Sequence, residues 1–236
     1  YIHEILSAQL DARLKEMGIS GYTIENVSQV QDKDGEWRPI DSDKDPTVIL
    51  LHYSSILEDT INYIPPRVKI EISCLSMDEP TELRPIRSLI GESFDDEDTD
   101  AESLVRTVVP TRTFLEKLFL LAEEFQKEKP RSVRMSRHLY DLEKLMDTEY
   151  GKEALSNREL YDAIVEHRKA YYALKYVNYD SHTPSTISFT IPESVMDAWQ
   201  DDYADMRRFF IYGESLEFDE LMQRIEELQK QVRILC

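Results

Sequence analysis

The sequence is poor in glycine and cysteine, and it has no long apolar run. Its 6 glycines in 236 residues form neither a Gly-rich phosphate loop nor a dinucleotide-binding fingerprint. The two cysteines, Cys74 and Cys236, are too far apart in sequence to suggest a disulfide framework or a zinc site. No stretch reaches the length of about 18 apolar residues that spanning a bilayer requires. We therefore expect a reduced, cytoplasmic protein with no membrane partner.

Acidic residues outnumber basic ones by 47 to 28, which gives a net charge of −19. This excess disfavours a nucleic-acid partner, because affinity for phosphate backbones comes mainly from lysine and arginine. The charge is uneven, however. Residues 92–102 carry only acidic charges and predict a solvated loop, whereas residues 112–137 are rich in lysine and arginine. A local basic surface of this kind can steer an anionic ligand despite the overall sign.

Strand patterns dominate the first half of the chain. Residues 1–17 have apolar side chains at helical spacing, and Gly18 follows as a helix-ending residue. Two strands, at 22–30 and 47–53, should be joined by a polar hairpin with its turn at Asp34-Gly35. Residues 83–94 look irregular or form a short strand. Alternating or β-branched residues predict strands at 22–30, 47–53 and 67–74.

Helical patterns dominate after the acidic run, so we expect an α+β protein with domains at 1–108 and 109–236. Thr113 and Glu116 have the spacing of a capping box ahead of the first helix of this half, and Ser136 is placed to cap the second. Apolar spacing predicts helices at 114–126, 136–147, 157–172, 192–212 and 218–235, with a short strand at 186–191.

One group of charged residues lies beside the apolar stripes of the first two of these helices. Arg137, His138 and Asp141 share a helix face, because residues three and four apart are neighbours. A carboxylate at the flank of a buried stripe needs a partner, and Lys117 on the preceding helix is the candidate for Asp141. The residues alone leave two interpretations open, a structural ion pair between helices and a site that binds phosphate.

The strand at 67–74 carries a second candidate. Its apolar side chains alternate with Lys69, Glu71 and Ser73. A carboxylate on a strand, flanked by hydrophobic residues, is the form that a magnesium ligand takes in phosphoryl-transfer sites. Magnesium usually requires more than one carboxylate, and no second one with this pattern precedes Glu71. An ordinary half-exposed strand with solvated charges explains the same pattern.

Three segments in order resemble the middle and later motifs of the AbiEii/AbiGii-type nucleotidyltransferase toxins of abortive-infection and toxin–antitoxin systems. They are residues 66–73 (PRVKIEIS), 112–118 (RTFLEKL) and 136–142 (SRHLYDL). The resemblance runs from the first helix to about Leu155. It implies a fold like that of DNA polymerase β-like nucleotidyltransferases, in which a mixed sheet with helices is followed by a helical domain.

The resemblance assigns roles to individual residues. Glu71 would take the third acidic position and bind Mg²⁺, and Lys69 the basic position before it. Lys117 would contact the nucleotide phosphates. Arg137 and Asp141 would match the arginine and the second aspartate of an Arg-Asp-x-x-Asp-Leu pattern, with Asp141 orienting Lys117 or assisting proton transfer.

Two departures from the family pattern affect these expectations. His138 stands where many members have an acidic residue, and we expect it to contact the substrate together with Arg134. The Gly-Gly/Ser and Asp-x-Asp motifs are absent, and they should lie upstream of Tyr1, where the helical pattern is already under way. We therefore expect the native protein to extend further and this chain by itself to be inactive.

The resemblance implies an enzyme that transfers a nucleotide from an NTP to an RNA, with a tRNA 3′ end as the expected acceptor, and that a cognate antitoxin neutralises. Two alternatives remain. The protein could be an inactive binding or regulatory protein with the same fold, in which Lys117 and Asp141 form only an ion pair. It could also modify a small molecule or a protein, which suits the acidic surface.

Overall fold

The computed structural model describes residues 2–31, 36–40, 47–56, 65–72, 81–94 and 102–234. The chain divides into two compact units, residues 1–76 and 77–236. Helices and small antiparallel sheets make up both, so the predicted α+β class is confirmed. Every strand pair in the described ranges is antiparallel, and the mixed sheet that the resemblance implies has no parallel pair there.

The first unit consists of one helix and an antiparallel sheet. Helix α1 (Ile2–Glu16) ends before Gly18, whose φ of +74° is the left-handed conformation expected after a helix. The sheet has the order β1-β4-β5, and buried side chains of the central strand β4 form its core. Its strands are β1 (Tyr22–Asn26), β4 (Thr47–Tyr53) and β5 (Arg67–Ile72). The predicted strand at 47–53 is confirmed, and those at 22–30 and 67–74 are confirmed as far as Asn26 and Ile72. Residues 73 and 74 lie outside the described residues.

A second, two-stranded sheet combines the end of the predicted strand 22–30 with part of the polar segment that follows it. Strands β2 (Gln29–Gln31) and β3 (Trp37–Pro39) pair antiparallel, with Val30 opposite Arg38. The hairpin is therefore confirmed, while the Asp34-Gly35 turn lies outside the described residues.

The second unit begins with an antiparallel hairpin that the sequence predicted only in part. Strand β6 (Thr81–Arg87) pairs with β7 (Glu102–Val108), and helix α2 (Leu89–Ser93) follows β6. Almost every residue of β7 is exposed, so it lacks the alternation of buried and exposed positions that reveals a strand in a sequence. The division into compact units places this hairpin with the helices, and the predicted domains 1–108 and 109–236 stay a prediction.

The rest of the second unit is helical, and α4 packs against the helices on either side of it in sequence as well as against the last two. Large buried side chains fill the centre of this bundle, including Phe114, Leu118, Leu139, Trp199 and Leu221. The helices are α3 (Pro110–Glu124), α4 (Ser136–Met146), α5 (Glu149–Ala154), α6 (Arg158–His167), α7 (Met196–Phe209) and α8 (Phe218–Arg233).

Two predicted helix caps are wrong. Helix α3 begins at Pro110, which suits the first helical position because proline has no N–H to leave unpaired. Glu116 therefore lies inside the helix, and its carboxylate accepts from Arg112 at 2.8 Å and also pairs with Arg168. Ser136 is the first residue of α4 and not its cap.

The predicted strand at 186–191 is also wrong, although the alternation of buried apolar residues that suggested it is present. Ile187, Phe189 and Ile191 are buried, as the alternation indicated. Their backbone pairs with the side-chain amide of Gln229 on α8, which accepts from the N–H of Phe189 at 3.1 Å and donates to the carbonyl of Ile187 at 2.8 Å. One buried glutamine thus takes the place of a neighbouring strand.

The sequence patterns did not predict helix α5. The predicted helix at 157–172 changes from α-helical to π-helical near its end. Gly151 allows α5 to lie close to α4, since a Cβ there would come within 2.8 Å of the Cα of Met146. Helix α6 continues as a π-helical turn, Arg168–Tyr172. Among the described residues, no helix has both the length and the apolar character needed to cross a bilayer.

Candidate active site

A cleft of about 430 Å³ in the second unit gathers four of the residues singled out from the sequence. One wall comes from α3 and α4 and is polar or charged. The other comes from the end of α7 and the residues after it and is mainly apolar. The lining residues are Lys117, Arg137, His138, Tyr140, Asp141, Met206, Phe210, Ile211 and Tyr212.

Lys117 and Asp141 form the predicted ion pair across α3 and α4. The Lys117 Nζ lies 2.6 Å from the Asp141 Oδ2, and the two side chains are 23% and 35% exposed. Buried neighbours on each helix hold the pair in place, among them Phe114, Leu118 and Leu142. An ion pair this accessible to water contributes only about 0–1 kcal/mol to folding, so stability alone is a weak reason for its presence.

His138 is the buried polar group of the cleft. Its side chain is 8% exposed, and its Nδ1 is buried without a hydrogen-bond partner among the described residues. Burial, together with the charges of Lys117 and Arg137, lowers the pKa of His138 to about 4, against the opposing effect of Asp141. The ring is therefore neutral at pH 7. The cleft therefore contains an uncharged side chain that can donate or accept a hydrogen bond.

Arg137 and Arg134 differ in their relation to the cleft. Arg137 is exposed and lines the cleft. Within the described ranges it takes no part in the ion pairs formed by the nearby cations Lys117 and Arg131. Arg134 is not among the lining residues. Its backbone has a φ of +58°, a left-handed conformation unusual for a residue with a side chain, two residues before the helix that carries the site begins.

Asp202 on α7 holds the start of α4 in place. Its Oδ1 accepts from the N–H of Arg134 at 2.5 Å, and its Oδ2 accepts from the N–H of Ser136 at 3.0 Å and the Ser136 hydroxyl at 2.5 Å. A carboxylate at a helix N-terminus satisfies free N–H groups and favours the helix dipole. Sequence reasoning missed this residue because it lies 66 positions after the helix it caps.

Part of the basic segment between α3 and α4 is neutralised within the chain. Glu124 is 3% exposed, and both Lys127 and Arg131 lie 2.8 Å from its carboxylate. Burial alone would raise the pKa of Glu124, but the hydrogen bonds from Arg131 and Lys127 outweigh it and lower the pKa. The cations that face the cleft are therefore Lys117 and Arg137 and not the whole basic segment.

Lys69 and Glu71 lie in the first unit, on the edge strand β5. They are two residues apart on one face, their charged atoms are 2.7 Å apart, and each side chain is about half exposed. In the described part of the chain, no three His, Cys, Asp or Glu side chains are grouped so as to hold a metal ion. The metal-binding role of Glu71 stays a prediction.

A comparison with protein families places these residues in context. The model of a family described as nucleotidyl transferase AbiEii toxin, type IV TA system, matches residues 2–224. The match covers the first unit from residue 2, the second unit as far as residue 224, and every lining residue of the cleft. No curated protein matches the chain.

Proposed function

The chain belongs to the AbiEii family of nucleotidyltransferase toxins of type IV toxin–antitoxin systems, and from this premise we propose that it transfers a nucleotide from an NTP to an RNA, with a tRNA 3′ end as the acceptor. A cognate antitoxin would neutralise it. The observation that carries the proposal is the cleft in which Lys117, Arg137, His138 and Asp141 meet. The family supports the type of reaction, and the cleft supports the position of the phosphates.

The charged wall suits a polyphosphate. Phosphoryl transfer depends mainly on positioning and on stabilising charge at the phosphate oxygens. Lys117 provides a compact cation, and Arg137 provides a planar group that can bind phosphate with two hydrogen bonds. The neutral His138 ring adds a hydrogen-bonding group without further charge.

The reaction forms one P–O bond and breaks another. A hydroxyl oxygen of the acceptor attacks the α-phosphorus of the NTP, and the bond to pyrophosphate breaks. Asp141 orients Lys117 through Oδ2, which leaves Oδ1 as the oxygen that could accept the hydroxyl proton. Lys117 and Arg137 then stabilise the negative charge that develops on the leaving pyrophosphate.

Magnesium remains an expectation from the resemblance. A bound Mg²⁺ would neutralise phosphate charge, and Glu71 is the residue that the resemblance assigns to it. Glu71 is one half-exposed carboxylate beside the Lys69 ammonium, and the described ranges contain no cluster of further metal ligands. These residues do not make a magnesium site by themselves.

The test is incorporation of a labelled NTP into total RNA by the full-length protein and its variants. Lys117→Ala and Asp141→Ala should each lower the rate by about 100-fold or more, since removing one preorganised charge-stabilising group has effects of this size. Lys152→Ala is the matched control, because Lys152 is an exposed helical lysine outside the cleft. Full activity in the first two variants would refute the assignment.

A second candidate is the same chemistry with a protein or small-molecule acceptor. The net charge of −19 favours it, because an acidic protein repels RNA at long range. In the same assay, label would then appear in protein or small molecules and not in RNA. Calorimetry that detects no NTP binding would leave the Lys117–Asp141 pair a structural contact in an inactive relative.

A further inference from the structure

The apolar wall of the cleft is not used by the phosphate chemistry. It consists of Met206, Phe210, Ile211 and Tyr212, which line the same cleft as the charged groups of α3 and α4. Tyr212 is 92% exposed and Phe210 is 47% exposed. Large aromatic side chains that face water at the rim of a charged cleft are a feature of binding surfaces.

The start of this segment is fixed to the end of α7. The N–H groups of Phe210 and Ile211 both donate to the carbonyl of Met206, at 2.9 and 3.1 Å. Tyr212 comes next, and Gly213 turns the chain with a φ of +91°, which favours glycine because it has no Cβ. Tyr212 therefore lies at the tip of a turn whose first half is hydrogen-bonded to a helix.

The end of the segment is fixed as well. The Tyr203 hydroxyl donates to the carbonyl of Leu216 at 2.9 Å. The Arg207 Nε donates to the Ser215 hydroxyl at 3.0 Å, and its guanidinium pairs with Glu217. Because both ends are tied to α7, the exposure of Tyr212 results from a defined backbone geometry.

We propose that Phe210 and Tyr212 form a nucleobase subsite, in which a base stacks on an aromatic ring while its phosphates extend to Lys117 and Arg137. A nucleotide has a flat apolar base at one end and an anionic group at the other, and the two walls of the cleft have the same division. The volume of about 430 Å³ lies in the range of ligand pockets. This inference rests on the proposed function.

Stacking also determines what the subsite can distinguish. Every base has a π-face, so stacking tolerates different sequences, and a larger ring system buries more area on an aromatic side chain. We therefore expect purine nucleotides to bind better than pyrimidine nucleotides. The base could belong to the NTP or to the 3′-terminal nucleotide of the acceptor RNA, because both present the same chemistry.

The test compares a ligand that has a base with one that lacks it. Calorimetry should show that Tyr212→Ala weakens ATP binding by about tenfold or more, the effect of losing one stacked base. The same variant should bind tripolyphosphate, which has no base, as the wild-type protein does. Tyr212→Trp should retain ATP binding because it retains an aromatic face. Tyr171→Ala is the matched control, since Tyr171 is 67% exposed and lies outside the cleft.

A second measurement with a short single-stranded RNA identifies the source of the base. Loss of RNA affinity in Tyr212→Ala with unchanged ATP affinity would assign the subsite to the acceptor and support it. Unchanged affinity for both ligands, while Lys117→Ala loses ATP binding, would overturn the subsite and leave the proposed function standing. Equal losses for ATP and tripolyphosphate would also overturn it. A wild-type protein that binds neither ATP nor tripolyphosphate would refute the proposed function itself.

Discussion

The interaction of Asp202 with the start of α4 leads to a quantitative prediction. Asp202→Ala removes the acceptor for two backbone N–H groups, those of Arg134 and Ser136, and for the Ser136 hydroxyl. A buried donor without a partner costs about 1–3 kcal/mol, and the loss of an N-cap typically costs about 1 kcal/mol. The serine hydroxyl can rotate to another partner, so we expect the free energy of unfolding to fall by about 3 kcal/mol.

Asp202→Asn provides a graded version of the same change. Asparagine keeps one acceptor oxygen but loses the charge and the second oxygen, so we expect a loss of about 1–2 kcal/mol. Urea denaturation measures both variants, and the slope of the free energy against urea should not change. Asp205→Ala is the control, because Asp205 is an exposed aspartate on the same helix, and it should alter stability by less than about 0.5 kcal/mol.

A functional measurement separates positioning from stability. Helix α4 carries Arg137, His138 and Asp141, so an altered start of this helix should weaken tripolyphosphate binding even where the Asp202→Ala variant is fully folded. Asp202→Asn should bind more tightly than Asp202→Ala. A stability loss below about 0.5 kcal/mol for Asp202→Ala would refute the cap, because two buried hydrogen bonds and one part-buried one cannot be lost at so small a cost. Unchanged binding by the folded variant would refute the positioning role.

Two further predictions concern buried charge. The pKa of His138 is about 4 in the folded protein, below its ordinary value of 6.5, so the unfolded chain binds protons first as the pH falls. The contribution of the neutral His138 to the free energy of unfolding is therefore complete above about pH 6.5 and is lost toward pH 4, by roughly 2 kcal/mol between pH 7 and pH 5. His138→Gln should remove this pH-dependent loss, which urea titrations at the two pH values measure. Arg168 donates to Glu123 inside the bundle, and both side chains are about 5% exposed. Glu123→Ala should cost about 1–3 kcal/mol in the same assay, because the buried guanidinium loses two charge-assisted hydrogen bonds but keeps Glu116 as an ionic partner. A cost below about 0.5 kcal/mol would show that water replaces the lost bonds.

Local patterns in the sequence identified much of the fold. The apolar stripe of α8 at helical spacing and the β-branched run of β4 each depend on neighbours within a few residues. The Lys117–Asp141 pair could be predicted for a similar reason, because a carboxylate beside an apolar stripe requires a partner on an adjacent helix. The exposed strand β7 was missed because it buries almost nothing on either face.

The tertiary structure decided the features that depend on distant partners. Asp202 caps α4, and Gln229 takes the place of a strand beside Phe189, yet neither side chain has a signal in the sequence near the group it binds. The apolar wall of the cleft, which contains Tyr212, likewise faces residues far earlier in the chain. Periodicity and turn chemistry act over a few residues, whereas a polar group is satisfied by whichever side chain the folded chain brings within hydrogen-bonding distance. The sequence by itself therefore determined most of the longer helices, the strands of the first sheet and one wall of the cleft, and contacts between distant parts of the folded chain determined the rest.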